Sequence, residues 1–245
     1  MTLPLHLADS GEAADLAAFL GRLVHYDRAA AVRLQAQAGG AALAVFGRPP
    51  SFEVLAIRTA RLAEPGPGAP LDVTVSAGEL LESVDEAAGT AAVPAAVTGP
   101  PWAGVLPPRG GWQQVAGLPG AEAMRAAVGA AVAEFRARDE ALPADRRTRA
   151  ERDRIGREIW SRTVAGTELP LRAVHAAQSL GFLRPVRALA GGAGPAAAPG
   201  SGPAGAPEPV ALLAAGGWLR LRTPYGSVAL RRPGGGLGAL QVRPV

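Results

Sequence analysis

Lysine, cysteine and asparagine do not occur in this chain of 245 residues. Without cysteine there is no disulfide, no thiolate nucleophile and no thiolate-ligated metal, which suits a reducing compartment. Aromatic residues make up only 4%, and isoleucine occurs three times (Ile57, Ile155 and Ile159), so a core must be built from Leu, Val and Ala. Nowhere do about 18 uncharged apolar residues run together, and the opening MTLPLHLADSGEAAD lacks the basic and then apolar regions of a signal peptide. The expectation is a cytoplasmic protein without membrane association. No HExxH, GxSxG, Walker A or GxGxxG-plus-acid pattern is present, and His6, His25 and His175 are far apart in sequence. No catalytic residue, metal ligand or cofactor is predicted, and the chain is read as no enzyme.

What is there instead is arginine, which supplies all 25 basic residues. Together with the abundance of Ala, Gly and Pro, this is the composition expected of a high-GC genome, and codon bias explains arginine in place of lysine. It does not explain the distribution. Residues 1–118 hold 7 arginines against 11 acidic residues, a net of −4, and residues 119–245 hold 18 against 10, a net of +8. A basic surface raises the local concentration of anionic partners, so the back half is where such a partner is expected.

The pattern of apolar residues predicts an α+β fold. A short strand over residues 2–8 leads to an Asp9 or Ser10 cap and a helix to about Tyr26 with Leu16, Phe19, Leu20, Leu23 and Val24 on one face. The period then becomes two, and VRLQAQ, ALAVFG and FEVLAIRTARL read as antiparallel strands punctuated by Gly-Gly and Arg-Pro-Pro. LDVTVS is a further strand, after which Ser76 with Glu79 forms a capping box that opens a helix. This acidic N-terminal α/β domain spans 1–92. A Pro/Gly/Trp connector follows at 93–118, then a basic three-helix region at 119–189. Its helices run over 119–142, with a stripe of Met124, Ala127, Val128, Ala131, Val132 and Phe135, then over about 145–164 and 170–180. Residues 190–209 have almost no charge and nothing to bury, the signature of a flexible, disordered Gly/Pro/Ala linker. A β-hairpin turning at Thr223-Pro-Tyr-Gly and a tail complete 210–245; one hairpin is marginal alone, so it must dock on something. In element order alone, the first ninety residues resemble the half-domain of sliding clamps, with no matched residues and no site carried over.

Two groups of residues are candidates for function. The second basic helix carries Arg146, Arg147, Arg149, Arg152, Arg154, Arg157 and Arg162, of which several fall at i,i+4 spacing from Glu151, Asp153 and Glu158. Allowing for those pairs, the candidates to meet an anionic partner are Arg146, Arg152, Arg162, Arg172, Arg220, Arg222, Arg231 and Arg232. Three helices and a hairpin is also the order of a winged helix, in which the third helix, with Arg172, His175, Gln178 and Ser179, would face base edges. The loop TGPPWAGVLPPRGGW sets Trp102, Arg109 and Trp112 among prolines and glycines, and these could anchor an interface or plug the seam between the two halves. Glu79, Glu82 and Glu86 share a helix face and read as solvated rather than as a cation site. The leading expectation is a non-enzymatic binding or adaptor protein whose basic half meets nucleic acid or an acidic protein. The alternative is a structural protein–protein interaction protein with no nucleic-acid binding, its arginines paired internally.

Overall fold

The computed structural model describes residues 3–63, 68–185 and 210–232. The linker expected at 190–209 and the glycine-rich tail after residue 232 lie outside the described residues. The fold is α+β, with five α-helices and two antiparallel sheets among the described residues.

The elements of the first half follow from local chemistry. Strand β1 (Leu3–His6) leads into α1 (Ser10–Tyr26), where the Asp9 carboxylate accepts from the Glu12 N–H at 2.8 Å and so caps a free helix N-terminus. Strands β2 (Ala31–Ala36), β3 (Ala42–Gly47), β4 (Leu55–Arg61) and β5 (Leu71–Ser76) form an antiparallel run in the order β5-β2-β3-β4. The expected Ser76 cap is made, its hydroxyl accepting from the Glu79 N–H at 3.3 Å, and it opens α2 (Ala77–Glu82). A strand not expected from the sequence, β6 (Thr90–Val93), pairs with β1 in a separate two-stranded sheet.

The second half completes the main sheet. After β7 (Gln113–Val115) come α3 (Ala121–Glu140), α4 (Arg149–Ser161) and α5 (Leu171–Ser179), then β8 (Ala211–Ala215), β9 (Trp218–Thr223) and β10 (Gly226–Arg231). Helix α4 starts four residues later than its charge pattern suggests, because Pro143 is followed by a 3-10 turn and Thr148 takes the cap, accepting from Glu151 N–H at 3.3 Å. The expected hairpin is β9–β10, and it docks edge to edge: β10 pairs with β4 through Ser227↔Ile57, Val228↔Ala56 and Ala229↔Leu55. With β8 and β7 added, eight strands run in the order β5-β2-β3-β4-β10-β9-β8-β7.

This position excludes the winged-helix arrangement. A wing stands at the margin of its domain, whereas β10 lies in mid-sheet and buries Ser227 through Leu230. On α5, Leu171, Ala173, Val174, Ala176 and Ala177 are buried, Arg172 faces Glu53 and His175 stacks on Trp160, so of the four residues that would face base edges Gln178 alone is exposed.

Alternation along each strand gives the sheet two different faces. On one, Val32, Leu34, Val45, Ala56, Leu221 and Val228 meet the buried residues of all five helices in a single core. On the other, Phe46, Leu55, Ile57, Trp218 and Ala229 form a smaller cluster roofed by Trp102, Leu106 and Trp112. Gly226 marks the seam. Its φ of 153° is open to glycine, and a Cβ there would lie 2.6 Å from the Phe182 ring and 2.9 Å from the Ile57 carbonyl oxygen.

Candidate functional site

The eight candidate arginines separate into two sets. Those on the helices are turned to acids of the same chain. Arg152 Nε lies 2.7 Å from Asp139, Arg162 reaches Glu134 at 2.6 Å and Glu158 at 3.3 Å, and Arg146 is 3.5 Å from Glu151. The i,i+4 spacing foresaw Arg149–Asp153 and Glu158–Arg162, but not that α3 would compete: Arg138 holds Glu158 at 2.7 Å. That Arg138 hydrogen bond and charge, with help from Arg162, hold the Glu158 carboxyl down to about 2. Arg154 turns to Glu151 at 2.5 Å, and Arg147 donates to the carbonyls of Glu140 and Leu142. Arg172 faces Glu53 at 3.5 Å, and Arg232 is bound to Glu168. Such pairs are worth little to stability where exposed, yet they offset the charge of the arginines that make them.

The other set lies on the sheet face away from the helices. Arg220 and Arg222 follow Trp218 at alternate positions of β9 and so share its face. Arg231 on β10 stands opposite Trp218, its guanidinium carbon 4.4 Å from the indole centroid. Arg220 donates to the Ser227 hydroxyl at 2.8 Å and lies 5.8 Å from the centre of the Trp112 ring. Cation–π contacts of this kind hold guanidinium groups in place. Trp112 is fixed by its own Nε1–H, which donates to the Pro108 carbonyl at 3.0 Å.

The Trp–Arg–Trp loop therefore crosses the sheet. At one end, Arg33 of β2 is bound to the Ala103 carbonyl and to Asp72 at 2.6 Å. At the other, Trp112 meets β9. Trp102 and Trp112 both pack on the smaller cluster, whose residues come from β3 and β4 of the first half and β9 and β10 of the second. Arg109 is exposed and close enough to Asp72 to add, behind the Arg33 hydrogen bond and charge, to the lowering of that carboxyl.

A signal for this face was present in the sequence and went unread. No Asp or Glu occurs between Glu86 and Glu122, nor within 210–232, so the loop and all of β8–β10 are built without a carboxylate. Trp218, which underlies Arg231, was missed for the same reason: attention to arginine density favoured the helix where acids alternate with it.

Two other clusters are structural in character. At the junction of the halves, Arg58 is buried on the helix side of β4, with Glu12 at 2.8 Å, Asp15 at 3.4 Å and the Tyr225 carbonyl at 3.0 Å. Arg61 and Arg184 extend this network to Asp9 and Asp15, and Arg184 stacks 3.6 Å from the Tyr225 ring centre beside a cavity of about 310 Å³. Near the end of α1, Phe52 meets Tyr26 and His175 edge-on, and His175 stacks on Trp160 at 4.3 Å. Burial in this aromatic setting lowers the His175 pKa. Among the described residues, no three His, Asp or Glu side chains are grouped to hold a metal ion, and no helix is long and apolar enough to cross a membrane.

Residues 1–104 match the family model described as Domain of unknown function (DUF8010), and residues 107–235 match Domain of unknown function (DUF8185). The division falls within the loop that crosses the sheet, so the two matched regions share one eight-stranded sheet through the β4–β10 pairing. No curated protein and no solved structure matches the chain, and the likeness to sliding clamps stays one of element order.

Proposed function

The chain belongs to the family Domain of unknown function (DUF8185), whose description assigns no chemistry, and we propose that it is a cytoplasmic, non-enzymatic binding protein that meets an anionic partner at the β9–β10 hairpin of its basic second half. The supporting observation is the contrast between Arg231 and the arginines that stand beside acids of the chain. Arg146, Arg152, Arg162, Arg172 and Arg232 have carboxylates of the chain within ion-pairing distance. Arg231 projects from a strand that contains no acid, is exposed, and is held against the Trp218 indole. Guanidinium groups fixed in position, on a rigid sheet rather than a loop, lose little entropy when they receive carboxylate or phosphate oxygens.

Retention on immobilised heparin tests this reading. The wild-type chain is expected to bind at low salt and to elute earlier when Arg220, Arg222 and Arg231 are changed to Gln together, because each lost contact flattens the salt dependence. Changing Arg149, Arg152 and Arg154 of α4, each beside an acid of the chain, to Gln removes the same charge and is expected to leave elution nearly unchanged. If the α4 variant loses retention and the sheet variant does not, the reading is wrong.

A further inference from the structure

The charged network at the junction of the halves is a row of alternating sign. Asp9, Arg61, Glu12, Arg58, Asp15 and Arg184 follow one another at 3.1, 2.9, 2.8, 3.4 and 2.5 Å. Each inner member stands between two opposite charges. Asp9 closes its own end by capping α1, where it accepts from the Glu12 N–H. Arg184 has no such closure: among the described residues its one carboxylate is Asp15, which it shares with Arg58. The row therefore ends in a cation, and that end borders a cavity of about 310 Å³ lined by Asp15, Arg184, Pro185 and Tyr225. We propose that this cavity binds a small organic monocarboxylate, whose anion completes the row at Arg184.

The guanidinium is already in position for it. Its carbon lies 3.6 Å from the centre of the Tyr225 ring, and Asp15 holds it by Nη2. Arginine offers five N–H donors in a rigid planar fork, so a group fixed this way receives a second carboxylate with little loss of entropy. The network is also short of acceptors. Arg58 Nε is buried with no hydrogen-bond partner, and Asp15 is divided between two guanidinium groups. A ligand carboxylate on Arg184 lets Asp15 give more of its charge to Arg58. The Tyr225 hydroxyl donates to the Pro185 carbonyl at 3.4 Å, longer than a good bond between oxygens, so little is lost when it turns to a ligand oxygen.

Charge and volume set the class of ligand. One open cation matches one negative charge, whereas a phosphate dianion would set its second charge against Asp15, on the same guanidinium. The volume is near the lower end of the range for small-molecule sites, about 300–1,000 Å³. Pro185 and the Tyr225 ring give the walls an apolar part, which suits a short, flat body behind the carboxylate. The site needs both halves, since Asp15 belongs to α1 and Tyr225 to the β9–β10 turn. It lies at the opposite end of β10 from Arg231 and does not rest on the heparin reading.

The test titrates the full chain with benzoate, followed by saturation-transfer NMR, with benzamide as the uncharged isostere and inorganic phosphate as competitor. Benzoate is expected to saturate with a Kd of about 1 mM, benzamide to bind at least about tenfold more weakly, and phosphate not to displace benzoate at equal concentration. Arg184→Gln should weaken benzoate about tenfold, the loss of one charge-assisted contact. Tyr225→Phe, which keeps the ring under Arg184, should weaken it about threefold. The variant with Arg220, Arg222 and Arg231 changed to Gln should bind benzoate as the wild type does, so this proposal and the heparin reading fail separately. Should circular dichroism show that Arg184→Gln does not fold, Arg184→Lys replaces it, keeping the charge and losing the fork, with weaker binding again expected. No saturation by about 20 mM benzoate, well past the expected affinity, overturns the proposal. So does equal binding of benzamide, displacement by an equal concentration of phosphate, binding undiminished by the Arg184 change, or binding lost in the hairpin variant.

Discussion

Arg58 is the side chain on which the joining of the two halves depends most directly. It projects from β4, is 6% exposed, and binds α1 through Glu12 and Asp15 and the β9–β10 turn through the Tyr225 carbonyl. Arg58→Met keeps most of the volume and the apolar stem while removing every one of those contacts. Breaking a buried pair costs about 3–5 kcal/mol when a charge is stranded. Here Glu12 retains Arg61 at 2.9 Å and Asp15 retains Arg184 at 2.5 Å, so the stranding penalty is reduced. The Tyr225 carbonyl, left without its donor, adds about 1–3 kcal/mol. The expected sum is about 3 kcal/mol, which in a chain of this size lowers Tm by about 6–12 °C. Calorimetry measures the shift, and urea denaturation followed by circular dichroism gives the free energy. A cycle with Glu12→Gln and the double variant should show coupling of about 1 kcal/mol or more, since the two residues touch. A Tm loss below about 2 °C, or simple additivity in the cycle, would refute the claim that this network holds the halves together.

Gly226→Ala should destabilise the chain by about 2–3 kcal/mol in urea denaturation, because the added Cβ meets the Phe182 ring and the Ile57 carbonyl in a backbone conformation that L-residues avoid. Gly129→Ala, on the exposed side of α3 with nothing near its Cβ, should be neutral or stabilising by comparison. His175 is held neutral by burial, so the unfolded chain takes up a proton that the folded chain resists. Stability should be level above pH of about 6.5 and fall as pH drops below it, and His175→Phe should remove that part of the slope. The heparin experiment completes the set, with the hairpin variant sensitive and the α4 variant insensitive.

Much of the fold was legible because its causes are local. The Asp9 and Ser76 caps, the period-two strands, the apolar stripes of α1 and α3 and the hairpin turn each depend on residues a few positions apart. Strands β6, β7 and β8 were not legible. They are short, β7 has exposed glutamines on its surface, and each is a strand only because a distant partner offers a free edge. The winged-helix reading failed for the same reason: three helices and a hairpin in order say nothing about which edge the hairpin will find, and β4 was available. Arg58 gave no hint that it would be buried, since its carboxylate partners lie on α1, more than forty residues earlier.

The candidate site divides along the same line. Composition by itself determined that the second half is basic, that cysteine chemistry is excluded, and that no acid accompanies the arginines of 210–232. Tertiary structure decided what stands beside each arginine. Packing α3 against α4 brought Glu134, Asp139 and Glu158 within ion-pairing distance of arginines as many as 28 positions away, and pairing β10 with β4 and β9 placed Arg220, Arg222 and Arg231 on the sheet face away from the helices, among Trp112 and Trp218. Charge is a property of residues, but its neutralisation acts over a few ångströms, and only the folded chain sets those distances.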